Sequence, residues 1–149
     1  MKLRSLLEKH VLNHGLCPGS STLEHWLQRK WLAVDLEGQI INVFPIWPNR
    51  QTLQIHDVHH VLTEYDTSPE GEFEVAAWEL GSGGCGYNLF FWFDRIVTLI
   101  LGLVVHRKPT TAALKRGRNC RNLYGQKLEY LLDRDIALIR ADLRIMNIS

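Results

Sequence analysis

Cysteine is scarce in this chain and poorly placed for chemistry. The three cysteines among 149 residues are Cys17, Cys85 and Cys120, and they form no CxxC pair. That excludes a cysteine zinc finger, offers no disulfide framework and makes a reducing compartment the default. An excess of charge of one sign is also missing: the formal net charge is +1, which gives no overall steering toward nucleic acid. Long hydrophobic runs are absent as well. The longest uncharged apolar run covers residues 96–105, too short to span a bilayer, and extending it back to Leu89 crosses Asp94 and Arg95. Lys2 and Arg4 are followed by Glu8 and by no apolar run, so no secretory signal is read. There is no internal repeat and no low-complexity segment.

What remains is an ordinary globular composition, 46% hydrophobic and 22% charged, in a chain of a length that buries about two-thirds of its unfolded surface as one domain. Charge is unevenly spread. Arg107, Lys108, Lys115, Arg116, Arg118 and Arg121 fall within residues 107–121 with no acid among them, a local basic stretch inside a near-neutral total.

The apolar spacing predicts a mostly α, single-domain helical bundle over residues 1–149. Leu6, Leu7, His10, Val11 and His14 suggest an opening helix, closed by Gly15 and the turn Cys17-Pro18-Gly19. Ser20, Ser21 and Thr22 offer hydroxyl caps to a second helix running through Trp26, Leu27, Trp31 and Leu32. Between Asp35 and Pro48, Gly38 breaks the pattern, and Ile40, Ile41, Val43 and Phe44 fit a short strand or an irregular apolar crossing. Asn49 can cap a helix carrying Leu53, His56, Val58, His60 and Val61. Ser68-Pro69-Glu70-Gly71-Glu72 reads as a helix start, for a helix ending at Gly81-Ser82-Gly83-Gly84. Residues 88–106 form a long apolar helix with a kink expected near Gly102, followed by helices over 110–118 and 124–144. The Gly81–Gly86 segment lacks the pattern of a phosphate-binding loop and follows a helix rather than a strand. It reads as a flexible connection.

One constellation carries chemistry. His56-Asp57-Val58-His59-His60 is followed, after eleven residues, by Glu72. Residues four apart on a helix lie one above the other, so His56 and His60 can grip one ion, and Asp57, about 100° round the helix, reaches the edge of the same site. A short link lets the helix that starts near Glu72 return as a hairpin. His56, Asp57, His60 and Glu72 can then converge on one divalent metal, with a position left open for substrate. Imidazole and carboxylate suit zinc, iron or manganese. His59 falls on another face. Clustered histidines on a helix also serve plain hydrogen bonding, and the placed glutamate is what favours a metal.

This segment resembles the HDxxHx(11)E motif of the coenzyme Q (ubiquinone) biosynthesis family, whose best-known members act as polyprenyl-hydroxybenzoate decarboxylases. The likeness continues in Gly71-Glu72 with its apolar helix, in Leu114-Lys115-Arg116-Gly117-Arg118, and in the closing run from Leu138 to Ile145. It covers roughly residues 50–145, and residues 1–49 lie outside it. The resemblance implies His56, Asp57, His60 and Glu72 as ligands of zinc. It implies Glu72 as the catalytic residue and a polyprenyl lipid or prenylated aromatic acid as substrate. No mitochondrial targeting segment is read, so a bacterial relative or a processed form is expected, the bacterial protein being cytoplasmic or peripheral to the inner membrane.

A polyprenyl substrate requires an apolar slot and a polar head site. Phe90, Trp92, Phe93, Ile96, Val97 and Ile100 belong to a helix that is apolar on nearly every face, which must be buried in the core or meet lipid. Arg116 and Arg118 are the candidate head-group residues, in a stretch that otherwise reads as a solvated face and that could touch anionic lipid peripherally. Two other functions compete with the enzyme: a non-catalytic lipid-binding scaffold that organises quinone-pathway enzymes, and an HD-type phosphohydrolase using His25, His56, Asp57 and Asp94. A homodimer is a further expectation, from five tryptophans and the apolar helix.

Overall fold

Helix starts in this chain are set by short polar side chains that accept the backbone donors a first turn leaves unpaired. The computed structural model describes residues 1–14, 22–45 and 49–146. Its elements are α1 (Leu3–His14), α2 (Leu23–Gln28), β1 (Trp31–Leu36), β2 (Gln39–Pro45), α3 (Arg50–Thr63), α4 (Pro69–Gly81), α5 (Leu89–Val105), α6 (Arg107–Arg118), a single 3₁₀ turn at Leu128–Tyr130, and α7 (Ile136–Leu143). Thr22 caps α2 by accepting from the His25 N–H, Ser68 caps α4 from Gly71, Asn88 caps α5 from Phe91 and Asp135 caps α7 from Ala137. The molecule is a mostly helical bundle, as the apolar spacing predicts.

Three boundaries differ from expectation. The second helix stops at Gln28, and Trp31 and Leu32 lie in β1. Glu37 and Gly38, with φ of 55° and 86°, make a two-residue turn with Leu36 paired to Gln39. Positive φ at both central residues is the geometry that tightens a twisted hairpin, and it draws the preceding apolar run into the strand. α6 begins at Arg107, with Pro109 inside its first turn, where a missing N–H costs nothing. The helix expected over 124–144 is cut to α7, because Gly125 sits at φ 91° and Asp135 caps a new start. Leu128, Leu131 and Leu132 are nonetheless buried, so their spacing reports a core and not a continuous helix. The turn expected at Gly15–Gly19 falls outside the described residues.

A continuous core joins Leu3, Leu7 and Val11 of α1, Trp26 of α2, Ile55, Val58 and Leu62 of α3, Trp78 of α4, and Ile139 and Leu143 of α7. α4 is covered on one side by α5 and α6. The approach of α4 and α6 is a backbone contact: a Cβ at Gly117 would lie 2.4 Å from the Trp78 carbonyl oxygen, and one at Gly81 would lie 2.6 Å from that of Leu114. α5 runs unbroken through Gly102, where the missing side chain admits Phe73 and not a kink.

Of the two settings open to the apolar helix, burial in the core is not the one found for α5. Only Phe91, Arg95 and Gly102 on it are buried, while Phe90, Phe93, Ile96, Val97, Ile100, Val104 and Val105 are exposed. The helix lies at the flank of the bundle and packs through one stripe, because α4 and α6 already contact each other directly and leave it no pocket to enter. No helix among the described residues is long and apolar enough to cross a membrane.

Substituting Gly117→Ala forces α6 away from α4. Overpacking of this kind costs about 1–3 kcal/mol, and a urea titration should show a lowered midpoint with an unchanged slope.

Candidate metal centre

α3 presents His56 and His60 one turn apart, their ring centroids 4.7 Å from each other. α3 ends at Glu64, whose left-handed φ of 66° lets its N–H reach the His60 carbonyl. The short link over 64–68 then brings α4 back against α3 with Glu72 opposite both imidazoles. The placement of α4 depends on Gly71: a Cβ there would stand 2.1 Å from the Asp66 carbonyl oxygen.

Three donor atoms converge. His60 Nε2 lies 3.2 Å from His56 Nε2 and 3.1 Å from Glu72 Oε1, and His56 Nε2 lies 3.4 Å from Glu72 Oε2. Tetrahedral ligands at zinc-type bond lengths sit about 3.3 Å apart, so the spacing is that of a metal shell. The opposite ring edges agree. His60 Nδ1–H donates to the Tyr65 carbonyl at 3.0 Å and His56 Nδ1–H to Glu79 Oε1 at 3.0 Å. Anchoring each Nδ1 to an acceptor leaves Nε2 as the coordinating atom and fixes the ring, as outer-shell partners of metal-bound histidine do. Two bare Nε2 atoms and a carboxylate facing one another repel unless a cation lies among them. The donor set fits a divalent metal, and His56, His60 and Glu72 form the one group of this kind among the described residues.

Beneath the site is Glu79, fully buried. Its Oε1 accepts from His56 Nδ1–H, from His59 Nδ1–H at 2.7 Å and from the Tyr124 hydroxyl at 2.6 Å. His59 Nε2 in turn accepts from the Leu123 backbone N–H at 3.0 Å, which sets it as a neutral Nδ1–H tautomer. Burial lowers the His59 pKa, only partly opposed by Glu79. Burial works against the charged form of Glu79, yet the charge and hydrogen bonds of His56 and His59 hold it well below the usual carboxylate range. Glu72 is likewise held low despite partial burial, through its bonds to His56 and His60. Tyr124 is pushed well up by burial and by the Glu79 charge.

Without metal the cation among these groups is a proton. Burial is the largest single influence on His56 and would lower its pKa, but the Glu79 charge and the hydrogen bonds to Glu72 and Glu79 together outweigh it, and the pKa rises to about 10 against the opposing charge of Arg95. His56 as imidazolium donates from both edges to the two glutamates. Proton and metal therefore compete for one place.

Of the residues expected at the site, His56, His60 and Glu72 are brought together and Asp57 is not. The Asp57 carboxylate turns to α2, accepting from Trp26 Nε1 at 3.2 Å and Arg29 Nη2 at 3.4 Å. The 100° step that separates it from His56 carries it past the ligand cluster to the next element. The phosphohydrolase set is not assembled either, since His25 is exposed and Asp94 pairs with Arg95. Arg116 donates to the carbonyls of Thr63 and Met146 and lies over Tyr65, and Arg118 is exposed. Trp92 is half-buried, its indole N–H donating to the Gly86 carbonyl at 2.9 Å, while the other expected lipid-contacting residues face outward on α5.

Four contributors were not read from the sequence as site residues: Glu79, His59, Tyr124 and Arg95. Glu79 lies seven residues after Glu72, on the same helix face two turns on, and that spacing could have found it. Arg95 carried a signal as a charge inside an apolar helix. Tyr124 carried none. No family model, curated protein or solved structure matches this chain, so the metal reading rests on the donor geometry.

Removing one partner from a buried charged network costs about 3–5 kcal/mol, so Glu79→Ala should unfold the domain or lower its thermal midpoint steeply. A raised His56 pKa stabilises the metal-free fold fully below the unfolded value of about 6.5. That contribution falls as pH rises from there through about 10. Metal-free protein should thus lose stability across this window in denaturant titrations at stepped pH. Metal uptake at neutral pH should release a proton, measurable with an indicator dye.

Proposed function

We propose that the chain is a metal-dependent protein of ubiquinone or prenylquinone biosynthesis that acts on the head group of a polyprenylated hydroxybenzoate and releases its carboxyl group. The observation that supports this is the convergence of His56 Nε2, His60 Nε2 and Glu72 in the spacing HDxxHx(11)E. His56 and His60 bind the ion with rings fixed by Glu79 and Tyr65. Glu72 completes the shell from the open side, its side chain 35% exposed. When bound, the metal supplies a Lewis acid that stabilises the negative charge left on the ring as carbon dioxide departs. Zinc is the first assignment, with iron or manganese as alternatives. A subsequent hydroxylation of the vacated position needs an oxidant, which iron chemistry would accommodate and zinc would not.

The outward face of α5 supports the lipid half of the reading. Phe93 is 70% exposed and Val104 78%, and Arg107 and Lys108, both exposed, follow at the end of the helix. A contiguous apolar face of this size marks an interaction surface. With cations at its rim it fits the head-group region of an anionic bilayer, from which a prenylated substrate would be drawn.

Elemental analysis should find one divalent ion per chain, lost in His60→Ala; absence of metal from the purified protein, with none taken up on addition, removes the reading. Glu72→Ala should abolish turnover of a purified prenylated hydroxybenzoate, and retained turnover would sink its role as ligand. Stripping the metal separates enzyme from scaffold, because a structural site unfolds when emptied whereas a catalytic one leaves the helical circular dichroism in place. The unsubstituted protein should sediment with phosphatidylglycerol vesicles more than with phosphatidylcholine ones, and Phe93→Asp should release it.

A further inference from the structure

Arg95 is the buried charge for which the metal shell has no use. It lies on the inward stripe of α5 and is 8% exposed. Asp94 takes two of its donors, Nε at 2.8 Å and Nη2 at 2.5 Å, and Phe91 packs against the guanidinium with its ring centroid 5.4 Å away. These contacts fix the planar fork and leave Nη1 aimed at the cluster. Nη1 lies 3.3 Å from His56 Nε2 and 3.4 Å from His56 Nδ1. A group on either lone pair would be much closer to one ring nitrogen than to the other, so Nη1 stands over the ring face or beside Cε1 and does not cover the atom that would bind metal. Its other neighbours are equally distant: Glu72 Oε2 at 3.4 Å and Glu79 Oε2 at 3.8 Å. Glu79 Oε2 is buried with no hydrogen-bond partner among the described residues. A guanidinium donor usually approaches its acceptor to about 2.9 Å. One Nη1 hydrogen goes to the long Glu72 Oε2 bond, and the other keeps donor capacity at the edge of the ligand cluster.

A carboxylate has the span to place one oxygen at the open position of the ion and the other at Nη1.

We propose that Arg95 is a substrate-binding residue that selects a carboxylate monoanion at this site, bridged between the metal and Nη1, and that Asp94 positions it. The inference rests on the metal reading above and names the ligand charge that the site accepts. An aromatic acid is held through its carboxylate, with Phe91, whose ring centroid is 6.1 Å from that of His56, beside the ring. Neutral analogues form no charge-assisted bond with Nη1 and bind weakly.

The test uses the full chain loaded with Co(II), whose visible absorption reports changes at the ion, and benzoate and benzamide as probes. Benzoate should shift the Co(II) spectrum saturably and benzamide should not. Arg95→Gln should take up Co(II) as the unsubstituted protein does and bind benzoate about ten- to a hundredfold more weakly, the loss expected for one charge-assisted bond. Arg95→Lys should recover part of that loss, since it keeps the charge without the fork. Should Arg95→Gln fail to fold by circular dichroism, Asp94→Asn, at a half-exposed position, carries the test: it frees the fork and should weaken benzoate while Co(II) uptake persists. Equal benzoate affinity in the folded variant, or benzamide binding as tightly as benzoate, overturns the inference alone. Failure of the unsubstituted protein to take up Co(II) overturns the metal reading and the inference with it.

Discussion

A carboxylate taken out of water has to have its charge answered by the groups around it, and the Glu79 side chain, fully buried in α4, meets that demand by recruiting three side chains from two separate parts of the chain. Oε1 accepts from His56 and His59 on α3 and from Tyr124 in the segment after α6. The Glu79 backbone carbonyl adds the Asn122 amide at 3.3 Å, and His59 passes on to the Leu123 N–H. The register of α3 against α4 is thereby fixed, because sliding one helix by a turn would break all of these bonds together. That register is what turns His56 Nε2 toward His60 and brings Glu72 opposite both. The ligand cluster is a consequence of an anchor two turns away from Glu72.

Such an anchor is a poor way to gain stability. Buried ionic networks often break even against well-packed apolar replacements, while removing one member is severely destabilising. The groups at this site include three carboxylates, Glu72, Glu79 and the partly solvated Asp94, against a single permanent cation, Arg95. That imbalance invites either protonation of His56 or a dication, and the same atoms accommodate both. The cost of the arrangement is understandable where it keeps two Nε2 atoms and a carboxylate converging at 3.1–3.4 Å without rearrangement on binding, the preorganisation on which a metal site depends.

Local signals carried the fold where capping chemistry and apolar spacing agreed. Ser68-Pro69 and Asn88 mark starts within a residue of those seen, and Leu7 and Val11 of the opening helix face the core at helical spacing. The reading failed where a backbone dihedral decided the outcome. Glu37-Gly38 turns an apolar run into a hairpin, and Gly125 breaks a pattern of leucines that remains buried regardless of helix. At the site, residues one turn apart on one helix were legible, and so was the glutamate across the link. Asp57 was misassigned because proximity in sequence says nothing of what lies against the neighbouring face, here Trp26 and Arg29 of a segment 28 to 31 residues away. Tyr124 and Arg95 reach the cluster through tertiary packing over 23 to 45 residues, a range on which periodicity is silent.

The position of α5 joins the two halves of the proposed function. An apolar helix enclosed on all sides would contribute core and nothing else. Here direct contact between α4 and α6, made at Gly81 and Gly117, leaves α5 on the flank with two different faces. Its inward stripe delivers Phe91 and Arg95 to the ligand cluster, and its outward residues stay uncovered. A molecule with an anionic head and a long apolar tail matches that division, because a single helix then meets both of its ends, and the helix is about 25 Å long at 1.5 Å per residue. On this view the apolar outward face and the buried arginine are one feature of the sequence. On the proposed reading Asp94 and Arg95, which interrupt an otherwise apolar run, supply the charge by which a head group is held.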